Sequence, residues 1–319
     1  MRKHGLFALL LGACLLLCGC ARREARAFSV VWTDLFDTQI SLTAYATGQD
    51  EFDRAADAVY ALLARLDAVF DVYEPHEGVE GAWAVNQAGG RAVRAERELI
   101  ELLEQSLAWH EACGAFNPAM GSVLALWHET RETGALPSDE ALREAAGHMD
   151  CGLITVDAEA GVIRLGDPEM RLDLGAVAKG WAMARAARLL DGLLPHYLLN
   201  GGGNIVCGLA PLDGRSAWSV GVRDPRSENA GDCVRVLRLT SCAAVSSGGY
   251  QRWVEIDGVR YHHLIDPDTL RPANLHLQST VVCADSALAD FLSTATFLLP
   301  TREAQALAER FGAELFLED

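Results

Sequence analysis

Four short segments of this chain carry residues of the kind that do chemistry. The first is Leu172-Asp-Leu-Gly-Ala-Val-Ala-Lys-Gly-Trp181, in which Asp173 precedes a run of small residues that leads to Lys179. Small residues let backbone approach a ligand closely, and a helix start with a lysine beside it suits a phosphate. The second, Leu199-Asn-Gly-Gly-Gly-Asn-Ile205, is a tight turn or a backbone pressed against something. In the third, Tyr261-His-His-Leu-Ile-Asp-Pro267, two adjacent histidines on a strand point to opposite faces. One of them can meet a site as a general base while the other meets core or solvent. The fourth is Asp285-Ser-Ala-Leu-Ala-Asp-Phe-Leu-Ser-Thr294. Asp290 and Thr294 are four apart on a predicted helix, so they share a face. A carboxylate and a hydroxyl on one helix face suit a hard cation such as Mg²⁺, which takes few protein ligands and completes its shell with water and phosphate oxygens. Each segment also has a plain structural reading: a Gly-rich helix lead-in, a strand turn, a core histidine, an acidic helix start.

The elements that must position these residues follow from hydrophobic periodicity. Residues 28–46 alternate as a strand or hairpin does. Residues 50–69 place Phe52, Ala55, Ala56, Val59, Leu62, Leu63 and Leu66 at helical spacing. Residues 72–90 read as loop, 96–112 as an amphipathic helix and 139–146 as a short surface helix. A hairpin is predicted over 154–156 and 162–165, and a helix over 180–190. Strands are predicted near 196–208, 217–223, 233–239, 252–256, 259–264 and 278–283, with Gly, Asp and Pro turns between them. Helices over 287–298 and 301–311 close the chain. No repeat or linker interrupts it, so the reading is a single α+β domain of mixed sheets and helices, with room for two lobes.

The chain has 319 residues, 50% hydrophobic and 22% charged, which is globular composition. Its formal charge of −17 argues against a nucleic-acid partner, which would require clustered Lys and Arg. At the N-terminus, a basic start (Arg2, Lys3) precedes an apolar run from Leu6 to Leu17, too short to span a membrane. It ends Leu17-Cys18-Gly19-Cys20, which resembles the lipobox of bacterial lipoproteins, with Cys18 unusual two before the modified residue. The expectation is a signal peptide over 1–19, a lipidated Cys20 with a tether to residue 27, and a folded domain over 28–319. An ordinary secretory signal is the alternative. Apart from Cys14, Cys18 and Cys20 there are six cysteines, at 113, 151, 207, 233, 242 and 283, with no C-x-x-C pair to hold zinc and no spacing that suggests a disulfide pairing.

Together and in this order, the segments resemble the ApbE family, the bacterial FAD:protein FMN transferases. The family pattern runs approximately D-L-G-G-I-A-K-G-Y, N-x-G-G-N, S-G-D-Y, H-H-I-x-D-P-x-T-G-x-P and A-D-A-L-A-T-A. This chain offers Asp173 to Trp181, Asn200 to Asn204, Ser247 to Tyr250, His262 to Pro272 and Ala289 to Ala295. Ala115-Phe-Asn-Pro118, followed by Gly121, resembles A-F-D-P-x-x-G. Phe36-Asp-Thr38 stands where the family has M-G-T, and Tyr73 where it has an aromatic. Four departures fall at flavin-neighbourhood or turn positions: Phe36-Asp37 for Met-Gly, Asn117 for Asp, Gly249 for Asp and Leu270 for Gly.

The resemblance implies phosphoryl transfer. FAD binds with Mg²⁺, an acceptor Thr or Ser hydroxyl attacks the phosphorus on the FMN side, and AMP leaves. It makes His263 the catalytic base. It gives the metal to Asp290 and Thr294, with Ser293 and the Ala176 carbonyl. It puts Asp173 and Lys179 on FAD, with Phe36, Tyr73, Ala115, Phe116, Asn117 and Leu264 lining the flavin or adenine pocket, and leaves His262 structural. The implied acceptors are flavin-bearing subunits of membrane redox complexes, met at the cell envelope by an exported, lipid-anchored, periplasm-facing enzyme. The competing readings are an FAD pyrophosphatase that yields FMN and AMP, and a lipoprotein that binds FAD without chemistry.

Overall fold

The computed structural model describes residues 24–229, 231–250 and 252–319. The expected signal peptide, Cys20 and the start of the tether lie outside the described residues. Among the described residues, no helix is long and apolar enough to cross a membrane.

The N-terminal half runs β1 (Arg26–Leu35), β2 (Thr38–Ala46), α1 (Gln49–Phe70), α2 (Ala82–Asn86), β3 (Val93–Arg94), α3 (Arg97–Ala112), α4 (Gly121–Thr133), α5 (Asp139–Ala146), β4 (Ile154–Asp157) and β5 (Val162–Leu165). Then come α6 (Ala178–Leu193), β6 (Tyr197–Gly201), β7 (Asn204–Cys207), β8 (Trp218–Arg223), β9 (Cys233–Leu239) and β10 (Cys242–Gly248). The chain closes with β11 (Trp253–Ile256), β12 (Val259–His262), β13 (Ile265–Asp266), β14 (Arg271–Pro272), β15 (Gln278–Cys283), α7 (Ser286–Leu298), α8 (Thr301–Arg310) and β16 (Glu314–Glu318).

Seven strands form one antiparallel sheet, in the order β1-β2-β6-β7-β10-β15-β16. Alternation along each strand separates its two faces. Ile40, Leu42, Ala44, Ala243 and Val245 join the main core with α1, α6 and α7. Tyr45, Cys207 and Ala244 face the other way and pack against Trp218, Val220 and Leu237 of the β8–β9 hairpin. The result is one mixed α+β domain with helices on one face of the sheet and a hairpin on the other.

Helix α7 is apolar on nearly every side, so it runs through the core and carries its polar residues into the interior. Its start is held by Asp285, whose carboxylate accepts from the backbone of Ala287 and Leu288 at 2.9 and 3.0 Å.

The expected strand over 196–208 is a hairpin, turned at Gly202 and Gly203 with φ of 61° and 98°. The strand expected to reach 264 stops at His262. Helix α2 falls inside the expected loop, and α4, β10 and β16 were not anticipated from periodicity. In β10, Ala243, Ala244 and Val245 are all buried, so no apolar–polar alternation marks this strand in the sequence.

Candidate active site

The site is assembled where α6 meets α7. Gly180 of α6 lies directly against Asp290. A Cβ built on Gly180 would stand 2.4 Å from the Asp290 Cβ and 2.5 Å from the Ser286 carbonyl oxygen. Only glycine allows this approach, and it brings the Gly180 N–H to Asp290 Oδ2 at 2.7 Å. Gly180→Ala should therefore push the helices apart, with a stability loss of ~1–3 kcal/mol. Thermal melting and Mg²⁺ titration of the variant would check this; unchanged Mg²⁺ affinity would refute the role of this contact.

That hydrogen bond has a second consequence. The helical partner of the Gly180 N–H would be the carbonyl of Ala176, four residues earlier. With the donor diverted to Asp290, the Ala176 carbonyl accepts no hydrogen bond among the described residues. Among the described residues the one hydrogen bond to the Asp290 carboxylate is to Oδ2, and Asn204 Nδ2 is buried without a partner. The Asn204 amide lies close enough to Asp290 to lower its pKa, while its Oδ1 accepts from Ser286 Oγ at 2.7 Å. Burial outweighs this, and the Lys179 charge, and pushes the Asp290 carboxyl up to about 6.

One turn further along α7, Ser247 Oγ lies 2.8 Å from Ser293 Oγ and 3.3 Å from Thr294 Oγ1. Ser293 Oγ also donates to the Asp290 carbonyl at 3.0 Å. The structure therefore brings Asp290, Ser293 and Thr294 together, and Ala176 lies four residues before the Gly180 that touches Asp290. No cluster of three or more His, Cys, Asp or Glu that could hold a metal exists among the described residues. One carboxylate, hydroxyls and a free carbonyl fit a hard cation that keeps several outside oxygens, as Mg²⁺ does, and do not fit zinc.

Lys179, beside this cluster in the first turn of α6, forms no ion pair among the described residues. Burial lowers its pKa, and the Asp290 charge opposes that shift. Asp173 Oδ1 accepts from the Gly175 N–H at 2.8 Å, and burial raises its carboxyl. The Asp173 N–H bonds the Pro118 carbonyl and the Gly121 N–H bonds that of Arg171, so the 115–121 segment is fastened to the lead-in of α6.

The two histidines are oriented differently. His262 is buried; its Nε2–H donates to the Ala273 carbonyl at 2.7 Å and its Nδ1 accepts from the Leu264 N–H at 3.2 Å. Both nitrogens are used by backbone, a structural role. His263 is half-buried, and its Nδ1 lies 3.3 Å from the Arg252 carbonyl. A carbonyl only accepts, so Nδ1 holds the proton and Nε2 keeps its lone pair. Burial, and next the Arg252 guanidinium, push this imidazole down to about 3.

The remaining pocket residues divide. Leu264 and Ala115 meet in one apolar cluster with Phe297. Tyr73 is 54% exposed and lies over His128 at 4.8 Å between centroids, free to cover a ligand. Its hydroxyl is pushed up to about 12 by desolvation and then by the Asp173 charge. The Phe116 ring is 3% exposed and packs edge-on against Phe291, so any ligand contact there is through its backbone. The Asn117 amide is engaged at both ends: Nδ2 donates to the Met149 carbonyl, and Oδ1 accepts from the Ala119 N–H and Cys151 Sγ. An aspartate could not make the first of these bonds.

The other departures also have local causes. Phe36 and Asp37 have φ of 52° and 49° in the two-residue turn between β1 and β2. The Phe36 N–H is held by Asp67 Oδ2 at 3.1 Å. A Cβ on Gly249 would lie 2.7 Å from His262 Cδ2, so no side chain fits there with the ring in place. Leu270 sits at φ 60°, and its carbonyl accepts from Trp127 Nε1 at 2.8 Å.

Two arginines were not anticipated. Arg131 and Arg252 both bear on Asp173, Tyr73 and His263, and neither forms an ion pair with a carboxylate among the described residues. Among the described residues, the one side-chain hydrogen bond of Arg252 is to the Asp37 carbonyl at 3.4 Å. Lying on α4 and beside β11, the pair carries no local sequence signal.

These features define an α+β protein in which a buried carboxylate and neighbouring hydroxyls stand beside a desolvated lysine, with a histidine whose pKa burial lowers. The ApbE family profile matches residues 36–317, and the chain belongs to the ApbE family. It is 36% identical to the FAD:protein FMN transferase of Treponema pallidum over 276 residues, 82% of this chain and 75% of the relative. It is 27% identical to that of Vibrio cholerae over 311 residues, 94% and 89% of the two chains. Among solved structures, the ApbE protein of Thermotoga maritima superposes with a TM-score of 0.83 at 27% identity, over 92% of this chain and 94% of its own. The Vibrio cholerae flavin transferase ApbE superposes at 0.79 with 22% identity, over 92% and 93%, a likeness of fold.

Proposed function

We propose that this chain transfers the FMN half of FAD to a Thr or Ser hydroxyl of an acceptor protein, with Mg²⁺ as cofactor, and releases AMP. The observation that carries the reading is the Gly180–Asp290 contact. It diverts the Gly180 N–H from the Ala176 carbonyl and fixes the Asp290 carboxylate beside Lys179, at the start of a helix. Ala176, Asp290, Ser293 and Thr294 would hold Mg²⁺, which when bound neutralises charge developing on a pyrophosphate. Lys179 and the α6 N-terminus contribute fixed positive charge to the same oxygens. His263 takes the acceptor hydroxyl proton at Nε2 as the new oxygen–phosphorus bond forms, and the bond to the AMP phosphate breaks. Asp173 and Tyr73 orient the nucleotide.

The proposed acceptors are flavin-bearing subunits of membrane redox complexes. The N-terminal motif ending at Cys20 supports an exported enzyme held at the cell envelope by lipid, where such subunits are reached.

The direct test mixes the chain with FAD, Mg²⁺ and a Thr-containing acceptor domain and reads the intact mass of the acceptor. A gain of FMN less one water, lost with EDTA, supports the transferase. FAD converted to FMN and AMP with no gain points to the hydrolase. Intact FAD with several acceptors points to a carrier.

Arg252→Met tests the unpaired cations. Losing one charge-assisted contact should weaken FAD binding about tenfold. Removing a neighbouring positive charge should also raise the His263 pKa, which proton NMR of the ligand-free protein would follow. Unchanged FAD affinity would remove Arg252 from the site.

A further inference from the structure

Six cysteines lie among the described residues, all unbonded. Their spacing in sequence suggests no pairing, but the sheet supplies one. Strands β7 and β10 are antiparallel neighbours, and Cys207 is the direct partner of Cys242. Residues directly opposite on such strands carry their side chains on the same face, with Cα atoms roughly 4.5–5.5 Å apart. A disulfide spans Cα separations of roughly 4.4–6.8 Å. Both residues pack in the small core around Trp218, and both line one cavity of about 410 Å³, which Asp290, Lys179 and His263 do not line. The rival partner is Cys283. It lies opposite Ala243, the neighbour of Cys242, packs with the main core on the other face of the sheet, and donates its S–H to the Asp285 carbonyl at 3.1 Å. Cys113 and Cys151 also belong with the main core, and Cys233 is exposed on β9.

We propose that Cys207 and Cys242 form a disulfide between β7 and β10 when the folding chain meets a disulfide oxidant. The reaction is two exchanges. The Cys242 thiolate attacks one sulfur of a small disulfide such as oxidised glutathione and releases one thiol. The Cys207 thiolate then attacks the Cys242 sulfur of that mixed disulfide and releases the second thiol. Two protein S–H bonds become one S–S bond, the oxidant is reduced to two thiols, and two electrons are transferred. Cys242 is the half-buried member and Cys207 is 2% exposed, so Cys242 meets the oxidant first. Burial raises both thiols, which slows exchange once the fold has closed and places the reaction during folding. The bond encloses the β8–β9 hairpin. It fastens the far ends of two strands whose near ends carry Asn204 and Ser247 of the active site.

The test refolds the full chain from denaturant in mixed reduced and oxidised glutathione, blocks free thiols, and maps digested peptides by mass without reduction. A linked pair joining the Cys207 and Cys242 peptides, lighter by two hydrogens than the separate peptides, is the expected result. Reduction should then lower the melting temperature by about 5 °C. Cys242→Ser should melt at one temperature with or without reductant. A Cys242–Cys283 linkage, or both thiols fully blocked after refolding, would overturn the proposal without needing any variant to fold.

Discussion

Asp290→Ala should lower FMN transfer by about 10²–10³-fold or more and abolish measurable Mg²⁺ binding. The expectation rests on what the carboxylate does in the ligand-free fold. One oxygen holds the Gly180 N–H at 2.7 Å, and the other accepts no hydrogen bond among the described residues. Alanine removes both. Asp290→Asn separates the two roles, because an amide oxygen can still accept from Gly180 while the charge is lost. The asparagine variant should therefore fold and bind FAD in the absence of metal, yet fail to bind Mg²⁺ in calorimetry. Tight Mg²⁺ binding by Asp290→Asn would show that the metal is held elsewhere.

The same carboxyl has a pH signature. Burial raises it from 3.8 in the unfolded chain to about 6 in the fold. The folded protein thus keeps this proton to higher pH than the unfolded chain does. Its contribution to stability is fully present below about pH 4 and is lost as pH rises toward 6. Melting temperature in EDTA should accordingly fall over that window more steeply for the parent than for Asp290→Asn. Saturating Mg²⁺ binds the deprotonated form and should reverse the trend above pH 6. Parallel curves for parent and variant would mean that Asp290 titrates as an ordinary exposed carboxylate.

The parts of this site that lie on long periodic elements were legible from residues alone. Helix α7 was expected over 287–298 and spans Ser286–Leu298, so Asp290 and Thr294 fall one turn apart as their spacing required. The opposed histidines also emerged, although β12 ends at His262, because consecutive side chains turn to opposite sides of extended backbone. Contacts made at long range were not legible. No local rule says that the Gly180 N–H leaves its own helix for a carboxylate 110 positions away. None places Arg131 and Arg252 around Asp173, or sets Cys207 opposite Cys242. The short strand β10 escaped because small residues buried on both faces leave no period to detect. The departures from the family pattern became interpretable only in three dimensions, where Asn117 and Gly249 each answer to a named neighbour.

The second large effect concerns His263. Its Nδ1–H is committed to the Arg252 carbonyl, so Nε2 is the only site on the ring that can take a proton. His263→Ala should lower the rate of FMN transfer by about 10²–10⁴-fold while leaving FAD affinity within a factor of a few. His263→Gln preserves volume and polarity without basicity and should fail equally, which separates proton transfer from packing. The pH dependence adds a readout that a structural role would not move. With its pKa held near 3, the imidazole of the free enzyme is already neutral throughout the physiological range. The kcat/KM profile should therefore show no limb near pH 6.5, the ordinary position for histidine. In Arg252→Met the His263 pKa rises, so any acid limb from this residue should move upward with it. A limb near pH 6.5 in the parent, unmoved by Arg252→Met, would assign the proton to a different group. Full activity in His263→Ala would leave the acceptor hydroxyl to lose its proton without a protein base, with the charge around Lys179 and Asp290 as the whole of the catalysis.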